Sequence, residues 1–159
     1  MREEIIETKV RVYNINECEQ KSLFDSALFD SALSAAKNAY APYSGFQVGA
    51  AVLLEDGAIV IGSNQENAAY PSGLCAERVA LFSAGAQFPN LKVKSIAIAA
   101  ITNNMQVEHV APCGACRQVL LEAENRCGNP IQIVLCGTEE VKVIGSAKEL
   151  LPVSFVLDK

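Results

Sequence analysis

The chain has 159 residues, half of them apolar, and its 13 basic and 18 acidic residues give a net charge of −5. This length fits one domain that can bury a core without disulfide support. No apolar run approaches the roughly 18 residues that a membrane span needs. Because no basic cluster follows the pattern of a phosphate-backbone binder, the composition argues against a nucleic-acid polymer and favours a small, neutral molecule as partner.

The amino-terminal ten residues alternate charges with short apolar pairs. They lack the basic and apolar regions of a secretory signal, so a cytoplasmic location is expected. In a reducing compartment, the six cysteines indicate metal binding or redox chemistry in preference to a disulfide framework.

The first part of the chain predicts an arm, a helix and a hairpin. Residues 9–13 suit a short strand or an arm that packs on the domain or on a neighbouring subunit. Apolar residues and alanines at spacings of three and four predict a helix over 20–40. The Asp-Gly pair between 46–54 and 58–63 predicts a hairpin of two strands. Gly49 lies inside the first of these strands, which predicts that a helix or a ligand approaches it closely.

The later elements alternate between helix and strand. The pattern predicts helices over 75–86 and 114–126, strands over 93–101, 131–136 and 141–144, and a short helical stretch over 146–150. Since the late strands are apolar on both faces, helices should cover both sides of the sheet. We therefore expect an α/β fold, a three-layer α/β/α sandwich on a mixed five-stranded sheet. A single domain over 19–159 would follow an extension over 1–18.

Three cysteines carry the chemistry. Cys113 and Cys116 have the spacing that brings two sulfur atoms to one side of the first turn of a helix, and Cys75 begins the other predicted helix. Three thiolates suit one Zn²⁺ per chain and leave the fourth tetrahedral position for water, the arrangement of catalytic zinc sites. Glu77 lies too close to Cys75 along the chain to be a comfortable ligand and is placed to move protons. This arrangement predicts a hydrolytic site.

The sequence also suggests roles for one histidine, two arginines and the three remaining cysteines. His109 could close the zinc site as a fourth ligand, but Glu77 would then have no role. Arg78 and Arg117 lie close to the cysteines along the chain, so either could donate a hydrogen bond to a thiolate or form a surface ion pair. The remaining cysteines are expected to be structurally inert, since free cysteine behaves as a small hydrophobe: Cys18, Cys127 and Cys136.

The order Cys75-Ala76-Glu77 followed by Pro112-Cys113-Gly114-Ala115-Cys116 has the form of a zinc deaminase signature, in which the glutamate shuttles protons. With the stretches 41–46, 48–51 and 64–70, the chain resembles small homotetrameric cytidine deaminases of the Cys₃ zinc type over residues 22–155. It differs from that family in small ways, at Gln65 and in the extension over 1–18.

The resemblance implies zinc-dependent hydrolytic deamination of cytidine and deoxycytidine to uridine and deoxyuridine, in pyrimidine salvage. Glu77 would carry the proton of the attacking water to N3 and then to the leaving amine. The zinc ligands would be Cys75, Cys113 and Cys116. The implied substrate contacts are Asn64 and Glu66 to the ribose, Phe46 and Ala76 to the base, Tyr70 near the sugar and the subunit interface, and Phe155 in the active site of a neighbouring subunit of a homotetramer.

Three alternatives share parts of this pattern. A blasticidin-type deaminase would use the same cysteines on a different substrate, although Asn64 and Glu66 favour a nucleoside. A zinc-stabilised binding module would have a metal that is ligated by the protein alone. A thiol redox protein would form a reversible disulfide between Cys113 and Cys116 and hold no metal.

Overall fold

One mixed sheet of seven strands forms the centre of the protein in the computed structural model, which describes residues 1–16 and 25–157. The strands are β1 (Val10–Asn14), β2 (Gln47–Leu54), β3 (Ile59–Ser63), β4 (Val93–Thr102), β5 (Met105–Gln106), β6 (Gln132–Cys136) and β7 (Glu140–Ile144). Their order is β1-β7-β6-β4-β2-β3, and β5 pairs with the end of β4. Only β4 and β6 run parallel among these pairs of described strands.

Within the described residues, three α-helices cover the sheet: α1 (Ser26–Ala36), α2 (Ala76–Gln87) and α3 (Gly114–Cys127). The Asp25 carboxylate begins α1 by accepting a hydrogen bond from the backbone N–H of Ala27 at 2.9 Å. Gly128, in the left-handed region at a φ of 68°, ends α3. Two short 3₁₀ helices, Tyr70–Ser72 and Ala147–Leu150, lie in the connections.

The core has two parts, one on each face of the sheet. Alternate residues of β4 point to opposite faces, so that Ile96 and Ile98 pack with α2 and α3, whereas Ala97 and Ala99 pack with α1. This arrangement makes three layers and confirms the expected α/β/α class.

Glycines allow two helices to lie directly on the sheet. A Cβ atom at Gly49 of β2 would come 2.0 Å from the backbone oxygen of Ala32 in α1. One at Gly62 of β3 would come 2.4 Å from the backbone nitrogen of Ala80 in α2. The close approach predicted at Gly49 is therefore confirmed, and the approaching group is a helix.

The expected number of strands was wrong, because the described residues form a sheet of seven strands and not five. The arm at residues 9–13 forms β1, which pairs antiparallel with β7 at the edge of the sheet. Strand β5 follows a turn in which Asn103 and Asn104 have positive φ. With only two residues, β5 is too short to show an alternating pattern of apolar and polar residues.

Cys18 and the start of the helix predicted over 20–40 lie outside the described residues. Within the described residues, no helix is long and apolar enough to cross a membrane.

We expect Gly49→Ala to lower the free energy of unfolding by about 1–3 kcal/mol, because the added methyl group meets helix backbone that cannot move independently. Urea unfolding of the zinc-loaded protein would measure this. Gly85→Ala is the matched control: its Cβ would meet only the end of the flexible Arg126 side chain, at 3.1 Å, and alanine favours a helix interior. Stability of the Gly49 variant equal to that of the Gly85 variant would contradict the packing argument.

Candidate metal centre

The first turns of α2 and α3 bring the three cysteines together. Cys75 is the N-cap residue of α2 and Cys113 that of α3, and neither side chain caps its own helix. Cys116 lies one turn into α3 and is buried. Neither N-cap sulfur atom bonds to a backbone N–H group of its own helix, so both remain available to a metal ion.

The sulfur atoms have the separations of a tetrahedral metal site. The Sγ atoms of Cys75 and Cys113 are 3.8 Å apart, those of Cys113 and Cys116 are 3.5 Å apart, and all three lie within 4.8 Å of one another. Zinc with Zn–S bonds of about 2.3 Å holds tetrahedral sulfur ligands about 3.8 Å apart. The donor set and its geometry therefore fit Zn²⁺, and among the described residues this is the only such cluster of potential ligands.

The thiols are already polarised by one another. Hydrogen bonding with Cys116, and further with Arg78, lowers the pKa of Cys75 to about 5. The contact with Cys75, together with burial, raises the pKa of Cys116. Zinc binding requires the deprotonated thiols, so loading of the site releases protons.

Glu77 lies beside the cysteines without joining them. It is in the first turn of α2, only 4% exposed, and its pKa is raised because burial disfavours the charged carboxylate. It is not a member of the potential ligand group. A buried carboxyl group with a raised pKa, beside a metal site, is suited to proton transfer.

The two arginines have different contacts. The Arg78 guanidinium approaches the Cys75 sulfur at an Nη2–Sγ distance of 3.9 Å, as the sequence allowed. Arg117 instead donates hydrogen bonds to the backbone oxygens of Pro112 and Leu150, at 2.9 and 3.2 Å, so its role is to fix the backbone before Cys113.

His109 and the other cysteines stand apart from the metal group. The His109 Nε2 atom lies 3.7 Å from a carboxylate oxygen of Glu108, and His109 is not a member of the group. The Cys127 sulfur accepts a hydrogen bond from the backbone N–H of Val93. Burial raises the pKa of Cys136 to about 12. Neither of these cysteines belongs to the cluster, in keeping with the expected inert roles.

A cleft of about 320 Å³ opens over the metal group. It is lined by Ser44, Phe46, Val48, Asn64, Glu66, Cys75, Glu77, Val110, Ala111 and Cys113. An aromatic ring, an amide, two carboxyl groups and two of the three candidate metal ligands thus share one cavity. The predicted residues Phe46, Asn64, Glu66 and Glu77 meet here, although they come from three separate parts of the chain.

Asn64 joins the cleft to the sheet. Its Oδ1 atom accepts a hydrogen bond from the Val48 N–H at 2.7 Å, and its Nδ2 atom donates one to the Phe46 carbonyl at 2.9 Å. These bonds hold the start of β2 in place. An amide offers two donor protons and two lone pairs, so one of each remains for a ligand.

Glu66 is held by the turn before β2. Its carboxylate accepts hydrogen bonds from the backbone N–H groups of Tyr43 and Ser44 and from the Ser44 hydroxyl. These bonds, chiefly that from the Ser44 hydroxyl, lower the pKa of Glu66. A carboxylate accepts about four hydrogen bonds, so one position remains available.

Three other predicted residues have distinct positions. Ala76 is the buried first residue of α2 and places its backbone beside the metal group. Tyr70 is 77% exposed and lines a neighbouring cleft of about 340 Å³ that shares Asn64, Glu66 and Cys75 with the first.

Phe155 is 68% exposed and lies away from both clefts, against α3, where its carbonyl accepts a hydrogen bond from Gln118 at 3.0 Å. Within one chain, the structure therefore does not bring Phe155 to the cleft.

The sequence interpretation did not single out four residues of the cleft wall as site residues: Ser44, Val48, Val110 and Ala111. Val110 and Ala111 line it just before Pro112, and their position next to the metal-binding segment was the available signal. Ser44 lies in the turn at residues 41–46. This turn was noted in the sequence only because it resembles the same stretch of the deaminase family and contains turn-forming proline and glycine.

Comparisons with known proteins place the chain in a family. Residues 23–127 match the family model for the cytidine and deoxycytidylate deaminase zinc-binding region. The chain belongs to this family. A cytidine deaminase of Halalkalibacterium halodurans is 41% identical over 132 residues, which are 82% of this chain and 93% of that protein.

Solved structures of this family have the same fold. The cytidine deaminase of Burkholderia pseudomallei matches with a TM-score of 0.69 and 41% identity, over 84% of this chain and 100% of that one. The cytidine deaminase of Mycobacterium tuberculosis matches with a TM-score of 0.66 and 34% identity, over 83% and 97% of the two chains. Zinc is accordingly the cofactor that the family and the three-cysteine cluster support.

We expect Cys116→Ala to abolish stable zinc binding, because two sulfur ligands cannot hold the ion as three do. Zinc content per chain after dialysis against a chelator would measure this. Cys127→Ala is the control: this half-buried cysteine lies outside the cluster and should leave zinc content unchanged. Retention of a full complement of zinc by the Cys116 variant would contradict the assigned ligand set.

Proposed function

We propose that this protein catalyses the hydrolytic deamination of cytidine and deoxycytidine to uridine and deoxyuridine, with release of ammonia. The observation that carries the proposal is the buried Glu77 carboxyl group beside three converging thiols in a cleft that also holds an aromatic ring and sugar-compatible polar groups. Membership of the family and the naming of the relatives as cytidine deaminases support it.

In the proposed site, Cys75, Cys113 and Cys116 hold zinc, which when bound supplies Lewis-acid activation of the attacking water. Glu77 takes a proton from that water and delivers it to N3 of the base. Once the water oxygen has bonded to C4, Glu77 takes the remaining proton of that oxygen and passes it to the amine, so that the C4–N4 bond breaks, the C4 carbonyl forms and ammonia leaves. Its burial keeps competing water from the carboxyl group, and its raised pKa suits a group that both accepts and donates protons.

The base and the sugar are held by different walls. Phe46, half-buried in the cleft, stacks on the pyrimidine ring. The backbone of Ala76 contacts the base from the first turn of α2, where helical N–H groups lack helical partners. Asn64 and Glu66 bind the ribose hydroxyls with the donor and acceptor positions that their structural hydrogen bonds leave free.

We infer a homotetramer in which neighbouring subunits complete the active sites. Large apolar side chains are exposed on α2 and along the carboxyl-terminal segment, as is usual for an interface: Phe82, Val153, Phe155 and Leu157. Phe155 then reaches the active site of a neighbour, and Tyr70 lies at both the interface and the sugar end of the cleft.

A single catalytic domain over 19–159 follows the extension over 1–18. The extension contains β1, which lies before the residues that match the family model. We place the reaction in cytoplasmic pyrimidine salvage.

Replacement of Glu77 by Gln should lower kcat for cytidine at least ~10²-fold, since general acid and base catalysis contributes ~10²–10⁴-fold. The fall in ultraviolet absorbance of cytidine measures turnover, and zinc content is determined on the same sample. Zinc should be retained. Glu4→Gln removes the same charge from an exposed residue outside the family match and should have wild-type activity. Near-normal turnover by the Glu77 variant would refute the role of this residue.

Subunit mixing tests the shared active site. Glu77→Gln chains and Phe155→Ala chains should each be much less active than wild type, whereas hybrids assembled from both should regain activity, because some sites combine an intact Glu77 with a neighbour's intact Phe155. Turnover is measured after the two proteins are mixed under dissociating conditions and reassembled. Activity equal to the average of the two unmixed variants would contradict a contribution from the neighbouring subunit.

A further inference from the structure

The Ser44 hydroxyl joins two residues that the proposed function assigns to different parts of the substrate. Its oxygen lies 2.5 Å from Glu66 Oε1, and the backbone N–H of Phe46 donates to it at 3.0 Å. Ser44 also lines the cleft itself. One side chain thus contacts both the candidate sugar-binding carboxylate and the backbone of the candidate base-stacking residue.

The direction of these two hydrogen bonds is fixed by their chemistry. A backbone N–H can only donate, so the Ser44 oxygen must accept from Phe46. An ionised carboxylate can only accept, so the single hydroxyl proton must point to Glu66. The O–O distance of 2.5 Å is typical of a charge-assisted hydrogen bond. The contact that lowers the pKa of Glu66 most is also this hydroxyl.

The remaining hydrogen bonds of Glu66 hold only one side of its carboxylate. The backbone N–H groups of Tyr43 and Ser44 both donate to Oε2, at 2.9 and 3.3 Å. Oε1 receives the Ser44 hydroxyl and keeps its other lone pair free. The hydroxyl therefore determines where the free lone pair of Oε1 points.

We propose that Ser44 is a specificity-determining positioning residue, which sets the orientation of the Glu66 carboxylate and so its selection of a sugar hydroxyl. This rests on the proposed function, in which Glu66 binds the ribose. Loss of the Ser44 hydroxyl should therefore weaken the binding of a nucleoside that has that sugar hydroxyl. It should matter little for one that lacks it.

The test compares Ser44→Ala with wild type on cytidine, 2′-deoxycytidine and 3′-deoxycytidine. For cytidine we expect kcat/KM to fall about tenfold, mainly through KM, because a hydrogen bond to a charged group that also binds substrate is lost. For the nucleoside that lacks the hydroxyl bound by Glu66, the loss should be below about twofold. Ser44→Thr keeps the hydroxyl and should restore most of the cytidine activity. Ser34→Ala, on an exposed position of α1, is the control and should equal wild type.

A double-mutant cycle separates this role from a general effect on the turn. In a Glu66→Gln background, Ser44→Ala should cost less than about twofold further, because the two residues act as one unit. Equal losses on all three nucleosides, no loss on any, or additive losses in the cycle would each overturn the proposal. Wild-type turnover of cytidine tests the proposed function independently of these ratios.

Discussion

The convergence of two helix N-termini on one point is the constraint on which the rest of the site depends. α2 and α3 cover the same face of the sheet, and each begins at a cysteine. Three thiolates around one Zn²⁺ leave a surplus negative charge, which the positive ends of two helix dipoles help to offset. The Arg78 guanidinium beside Cys75 adds to this compensation. If either helix were displaced, the site would lose both a ligand and part of its charge balance.

Glycines let two of the described helices lie directly on the sheet. Gly62 lets α2 lie directly on β3, and Gly49 does the same for α1 on β2 from the opposite face. β2 also leads out of the turn that carries Phe46 and is fixed at that end by Asn64. The sheet therefore sets the distance between the metal group and the proposed base- and sugar-binding residues.

Asn64 and Glu66 each hold part of the structure in place and keep hydrogen-bonding positions free for a ligand. Asn64 holds the start of β2 and still has a donor and an acceptor free, and Glu66 holds the turn at 43–44 with one acceptor position left. Such residues are oriented before any ligand arrives, which reduces the entropy lost on binding. The structural hydrogen bonds of Asn64 and Glu66 are therefore compatible with the proposed ribose contacts.

Three things could be predicted from the sequence: the grouping of the three cysteines with Glu77, the α/β class and most element positions. Each of them depends on residue spacing or hydrophobic periodicity, which can be read directly from the sequence. It did not determine the sheet edge: β1 became a strand only by pairing with β7, and β5 only by pairing with β4. Nor could it separate Arg78 from Arg117, since both lie within three residues of a cysteine along the chain. Only the fold directs one to sulfur and the other to backbone oxygens. The bridge from Ser44 to Glu66 spans 22 residues, and contacts across such distances depend on how the chain folds back, which tertiary structure alone decides.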